Sequence, residues 1–441
     1  MNATRKWWAL ALLAAAQFVV VLDASVVNVA LPSIAADLNL SQEGLAWLVN
    51  AYVLAFGGFL LLGGRMADLL GRRRVFMGGF LLFAVASFVG GLAESGATLV
   101  AARALQGLGA AILSPAALSL VMTTFAEGAE RNAALGVWGA VAAGGGAVGS
   151  LLGGVITQTL GWEWVMWINT PIGIAAAALA PVLLQESRAE APRSFDALGA
   201  VTITAGLTVL AYALLEDLAL VGVAAVLIAA FVAIERRTAS PLVPLSIFKQ
   251  RTLGTAAGTG VLMGGALIGL FFFATLYIQQ VLGYEPLKAG AAFLPLAVTI
   301  GATAGIASKL ATTHGPRPVL VAGLLTQAAG LYWFSHASID GSYLGDVLLP
   351  TVVVAVGMGL AFVPLTILAM SGVRDEDSGL ASGLMATAQQ IGQAVGLAVI
   401  TGMTASINDA FLLAGAMALA GAAVASYKGG RVFRPAVELQ G

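Results

Sequence analysis

Long uninterrupted runs of apolar residues, separated by short stretches of charge, proline and glycine, dominate the chain. A helix crosses a bilayer with about 20 such residues, and fourteen runs of that kind can be marked. They predict six helices over Trp8–Val29, Leu45–Gly64, Val75–Leu92, Thr98–Thr123, Ala133–Thr159 and Val165–Leu184. Two more follow over Ala197–Leu215 and Leu218–Ile234. The last six are Leu253–Val281, Ala289–Ser308, Val319–Ser335, Val347–Met370, Leu380–Ala405 and Ala410–Tyr427. Together they use about 300 positions, so the connections are short and no soluble domain fits between them. The opening stretch carries Arg5 and Lys6 ahead of an apolar run with small residues at Ala14–Ala16, the layout of a signal peptide. The run continues past Ala16, however, and predicts a permanent first helix.

Composition agrees with a chain whose solvent is lipid. Of 441 residues only 10% are charged, against about 25% in soluble proteins. A net charge of −1 offers no electrostatic footprint for nucleic acid. Cysteine is absent and only His314 and His336 could serve metal or acid–base chemistry, so no metal site, cofactor or enzymatic activity is expected. There is no phosphate-binding G-x-x-x-x-G-K-[ST] loop and no H-E-x-x-H helix.

Charge sets the orientation. With a cytoplasmic N-terminus, 19 of the 21 Lys and Arg residues fall on the inner side, leaving Lys288 outside and Arg103 within a span. The outer connections instead carry acids such as Asp37, Glu94, Glu163, Glu216, Glu285 and Asp340. Both termini are therefore expected inside, in a multi-pass membrane protein. The connection after the second helix, GGRMADLLGRRRV, has an echo in SKLATTHGPRPV after the tenth, with Arg65, Gly71, Arg73 and Val75 meeting Lys309, Gly315, Arg317 and Val319 at an offset of 244. Two parallel six-helix halves follow, residues 1–190 and 246–441, joined by a two-helix membrane linker at 191–245.

Six segments carry a family resemblance: LDASVVNVALP (22–32), GGRMADLLGRRR (63–74), RALQGLGAA (103–111), GAVGSLLGG (146–154), GWEWVMWINTPIG (161–173) and LYIQQVLGYEPLKAGAAFLP (276–295). The chain resembles the major facilitator superfamily, in particular its fourteen-helix drug:proton antiporters. That resemblance implies the all-α major facilitator fold and proton-coupled export of amphipathic drugs or antibiotics by alternating access. A same-fold importer of a narrow organic substrate and a non-transporting scaffold or sensor stand as alternatives. A monomer suffices, because each half can pack against the other.

The residues specify where such chemistry would sit. Asp23 is the only acid well inside a span, and a carboxylate there must be protonated, paired or wetted. It either exchanges a proton or packs against backbone or Asn28. Arg103, the only embedded base, would tune such an acid in the family, or else bonds carbonyls of adjacent helices. Gly64, Arg65, Asp68, Gly71, Arg72 and Arg73 form the loop that in the family latches helix ends at the cytoplasmic gate. Gly145, Gly149 and Gly153, with Gly146, Ser150 and Gly154 one position on, make two small-residue stripes for close helix packing. Ser150 stands where the family has proline, so no kink is expected there. Glu163 and Gln389 stand where relatives usually have arginine. Asn28, Gln106, Gln389 and Gln393 are candidate polar walls of a substrate cavity, the last two on one helix face. Trp47, Tyr52, Trp138, Phe272 and Tyr277 either line that cavity or face lipid. With one embedded acid, neutral or singly charged lipophilic substrates are expected over divalent cations.

Overall fold

A computed structural model describes residues 3–126, 129–188, 196–238, 241–243, 251–371 and 378–427. Regular structure among them is helical throughout. The helices are α1 (Ala3–Leu38), α2 (Gln42–Leu70), α3 (Arg72–Gly90), α4 (Gly96–Thr124), α5 (Ala129–Thr159), α6 (Glu163–Leu183) and α7 (Ala197–Leu215). There follow α8 (Leu218–Arg237), α9 (Thr252–Val281), α10 (Pro286–His314), α11 (Pro316–Phe334), α12 (Tyr343–Met370), α13 (Ser378–Met403) and α14 (Ile407–Ser426). Each of the fourteen expected spans falls on one of them. Among the described residues, twelve are long and apolar enough to cross a membrane, all but α5 and α11. Helix α11 opens on Pro316, Arg317 and Pro318 and carries Gln327, which dilute its apolar average.

The helices outrun the apolar runs because capping residues lie beyond the lipid-facing stretch. Ser41, Ser95 and Ser406 accept from Gly44 N, Thr98 N and Asp409 N, starting α2, α4 and α14. Helix α1 has 36 residues, about 54 Å at 1.5 Å per residue, well beyond the hydrocarbon core of about 30 Å.

The repeat seen in the loops extends into the structure. Gly71 (φ 105°) ends α2 and starts α3, and Gly315 (φ 84°) does the same between α10 and α11. Positive φ at both junctions turns the chain between helices through a single residue, a conformation that favours glycine. Eight residues on, Gly79 of α3 meets Gly109 of α4, and Gly323 of α11, at the same offset of 244 from Gly79, meets Gly357 of α12, which stands 248 from Gly109. A Cβ on Gly79 would lie 2.8 Å from Leu113 N, and one on Gly323 2.8 Å from Ala361 N. Both crossings are thus backbone on backbone.

Helices α7 and α8 pack on each other, and α7 also rests on α2 and α13. Thr204 of α7 meets Gly58 of α2, and Gly402 of α13 meets the Leu214 carbonyl. Only 11% of the most apolar stretch of α8 is buried, with Leu218, Val223 and Val226 exposed. Such a face suits lipid. The expected boundaries at 190/191 and 245/246, and the basic residues Arg193, Lys249, Arg374, Lys428, Arg431 and Arg434, lie outside the described residues.

Candidate functional site

Asp23 on α1 and Arg103 on α4 are 80 residues apart and meet in the core. Arg103 Nη1 donates to Asp23 Oδ2 at 2.5 Å, and both side chains are at most 3% exposed. The other carboxylate oxygen, Oδ1, accepts from Asn169 Nδ2 (2.8 Å) and Gln106 Nε2 (3.2 Å). Gln106 also accepts from Arg103 Nη1 and donates to Ser87 Oγ, whose hydroxyl donates to Phe83 O. The guanidinium lies 4.3 Å over the Tyr52 ring and donates from Nε to Leu48 O. Helices α1, α2, α3, α4 and α6 therefore all contribute to one knot. A buried ion pair repays its desolvation only when its remaining polar atoms are bonded, and the amides of Gln106 and Asn169 supply those bonds.

Arg103 also reaches the wall of a central cavity of about 250 Å³. Gln17, Asn28, Tyr52, Phe56, Phe271, Gln390 and Gln393 share that wall. Among the described residues Arg103 is the one charged residue on that wall, and its partner Asp23 stands behind it, fully buried. Asn28 and Gln393 both stand on this wall. Two expectations are corrected: Gln106 belongs to the ion-pair knot, and Gln389 is absent from this wall, its Cγ lying toward Gly260 of α9. Gln390 takes the second place, accepting from Gln393 Nε2 at 2.6 Å. Of the aromatics Tyr52 lines the cavity, whereas Phe272 and Tyr277 are core. A second cavity of about 540 Å³ lies nearer the α2–α3 junction, with Leu61, Gly64, Pro115, Met122 and Ser382 on its wall. Ser114 on its wall donates to Gln17 on the wall of the first.

At the end carrying the acidic connections, the N-terminal and C-terminal sets of helices are tied together. Asn28 Nδ2 donates to Phe271 O and Thr275 Oγ1, and Gln279 Nε2 to Val29 O. Gln158 Nε2 donates to Glu285 Oε2 while its Oε1 accepts from Leu287 N. The two α5 stripes divide this work. Gly145, Gly149 and Gly153 face Val21, Ser25 and Val26 of α1, and a Cβ on Gly153 would lie 2.9 Å from Val26 Cα. On the other stripe a Cβ on Gly154 would lie 2.6 Å from Leu287 Cα, and Gly290 abuts the Ser150 carbonyl. Ser150 donates back to Gly146 O, and α5 continues through it.

At the opposite, basic end the loop closes partly on itself and partly on Glu186, a residue absent from the sequence reading. Arg72 Nη2 bonds Asp68 Oδ1 at 2.9 Å. Glu186 accepts from Arg73 N and lies 3.9 and 3.7 Å from Arg73 Nε and Arg74 Nε. Gly71 sits so that a Cβ would fall 2.7 Å from the Glu186 carboxylate. Gly64 faces Pro115 of α4, and Arg65 has an interaction partner of its own. Glu186, Asn169, Ser87 and Gln390 were missed because each looks in sequence like an ordinary capping or packing polar residue. Glu186 alone left a trace, as an acid among basic connections.

The family model described as Major Facilitator Superfamily matches residues 13–397. The Cephamycin export protein CmcT of Amycolatopsis lactamdurans is 43% identical over 90% of this chain and 85% of its own length. The Puromycin resistance protein pur8 of Streptomyces alboniger is 39% identical over 92% and 84%. The Tetracenomycin C resistance and export protein of Streptomyces glaucescens is 35% identical over 92% and 78%. A crystal structure of a bacterial homologue of the human lysosomal transporter Spinster superposes with a TM-score of 0.69 at 15% identity, covering 96% of this chain and 95% of that one. At that identity it speaks for the fold alone.

Proposed function

Because this chain belongs to the Major Facilitator Superfamily and is a multi-pass protein of the bacterial cytoplasmic membrane, we propose that it exports amphipathic antibiotic-like compounds in exchange for protons. The two six-helix sets act as halves that rock about the cavity between them, with α7 and α8 as the inserted linker and both termini cytoplasmic, and one chain is the working unit. The observation that carries the reading is that Arg103 pairs with buried Asp23 and lines the cavity as well. With Asp23 ionised the pair is neutral, and a wall of amides and aromatic rings accepts a neutral or monocationic amphipath. A proton on Asp23 leaves the guanidinium charge unmatched at the cavity wall, so a cationic substrate is repelled and a neutral one meets a repacked surface. Proton and substrate then exclude one another, which is the requirement for antiport. The relatives named for puromycin resistance and for cephamycin and tetracenomycin C export support the substrate class.

The test is transport of a fluorescent lipophilic monocation in proteoliposomes under an imposed pH gradient. Gradient-driven flux in the native protein, and its loss in Asp23→Asn with substrate binding retained, is the expected result. Native flux indifferent to the gradient would replace antiport with facilitated diffusion or another coupling ion, and flux in the opposite direction would make the chain an importer.

A further inference from the structure

The linker pair contains a second buried acidic site, far along the chain from Asp23. Asp196 caps α7, its Oδ1 accepting from Gly199 N at 2.8 Å. Glu235, in the last turn of α8, accepts from Val243 N through Oε2 at 2.9 Å. Asp196 is 4% and Glu235 3% exposed. Their remaining oxygens, Asp196 Oδ2 and Glu235 Oε1, are both buried with no donor. Both converge on one point, 2.7 and 2.8 Å from where a Cβ of Gly199 would stand. Two carboxylate oxygens cannot bond each other, because both only accept. A buried unpaired carboxylate is costly, and two facing each other are more so. A single proton resolves both problems, turning one acceptor into a donor.

We propose that Asp196 and Glu235 share one proton at neutral pH, forming a proton-binding clasp. It joins the start of α7, the end of α8 and the strand of chain at 242–243 that leads toward α9. Surrounding charges do not supply an alternative partner among the described residues. Arg236 and Arg237 beside Glu235 are exposed. Helix α13, which packs on α7, carries no charged residue between 381 and 403, and α9 carries none over Thr252–Val281, Arg251 standing just before its start. On α2, Arg65 is two turns beyond Gly58, on the face that meets Thr204 of α7, and it has an interaction partner of its own. Loss of the proton leaves two like charges in one pocket, so the base of the linker is held at neutral pH and loosens as pH rises. Gly199 is required because any side chain there would fill the meeting point.

The site is independent of substrate, so purified protein in nanodiscs suffices for the test. Infrared spectra should show a protonated-carboxyl C=O band in the native protein that is lost in Glu235→Gln. Thermal stability of the native protein should fall as pH rises above the ordinary carboxyl range, about 4–5, and Glu235→Gln, whose amide donates permanently to Asp196, should flatten that dependence. Asp196→Asn is the second variant, because asparagine keeps the helix cap, and it should give the same two changes if Glu235→Gln fails to fold. An unchanged band and an unchanged pH profile in the variants would overturn the proposal. So would stabilisation of the native protein by added sodium, potassium, magnesium or calcium that vanishes in Glu235→Gln without loss of a band, since the ligand would then be a metal cation.

Discussion

At the scale of single residues, the Asp23–Arg103 pair is two charges that tolerate burial only together. Arg103→Ala leaves a carboxylate with only the amides of Gln106 and Asn169 to meet it, and breaking a buried pair by removing one partner costs about 3–5 kcal/mol. Asp23→Asn combined with Arg103→Gln removes both charges and keeps polar atoms in place. Its thermal unfolding in detergent should therefore lie closer to the native protein than that of Arg103→Ala. A double variant no more stable than Arg103→Ala would show that the two side chains do not compensate each other. Both residues were legible as the lone embedded acid and base, whereas their contact was not, because sequence gives depth along a helix and not which helices adjoin. The glutamines mark the same limit. Gln389 and Gln393 share a helix face by spacing, yet the helix turns so that Gln390 joins Gln393 at the cavity, a difference of one position that only the packing against α9 fixes.

At the scale of helices, the two glycine junctions offer an internal comparison. Gly71 and Gly315 both take positive φ, and a side chain in such a conformation costs about 1–3 kcal/mol. Around Gly315 nothing lies within 4 Å of a Cβ, whereas at Gly71 the Glu186 carboxylate stands 2.7 Å away, bonded to Arg73 N and facing Arg73 and Arg74. Gly71→Ala should thus destabilise more than Gly315→Ala, measured as the difference in thermal unfolding between the two variants. Equal losses would mean that Glu186 yields freely and does not fasten the loop. Element positions were readable because bilayer thickness dictates run length. The loop echo at 244 was readable because charges are scarce. The matching crossings of Gly79 on Gly109 and Gly323 on Gly357 were hidden among 55 glycines, since nothing in sequence separates a glycine at a crossing from one facing lipid.

At the scale of the whole molecule, the acidic end is fastened across the two helix sets by Asn28, Gln158 and Gln279, while the larger cavity lies toward the basic end. If the basic end is cytoplasmic, as its Lys and Arg content favours, the proposed export would load substrate into this cavity from inside. The absence of cysteine makes the orientation directly measurable. Ile339, 85% exposed between α11 and α12, is on the acidic side, and Arg188 is exposed beyond α6 on the basic side. A membrane-impermeant maleimide should label Ile339→Cys in intact cells and Arg188→Cys only after permeabilisation. The opposite pattern would turn the same structure into one that loads from outside. It would also reverse the work available from the membrane potential, about 2.3 kcal/mol per charge per 100 mV, so that a proton entering at the acidic end would move against the field instead of with it.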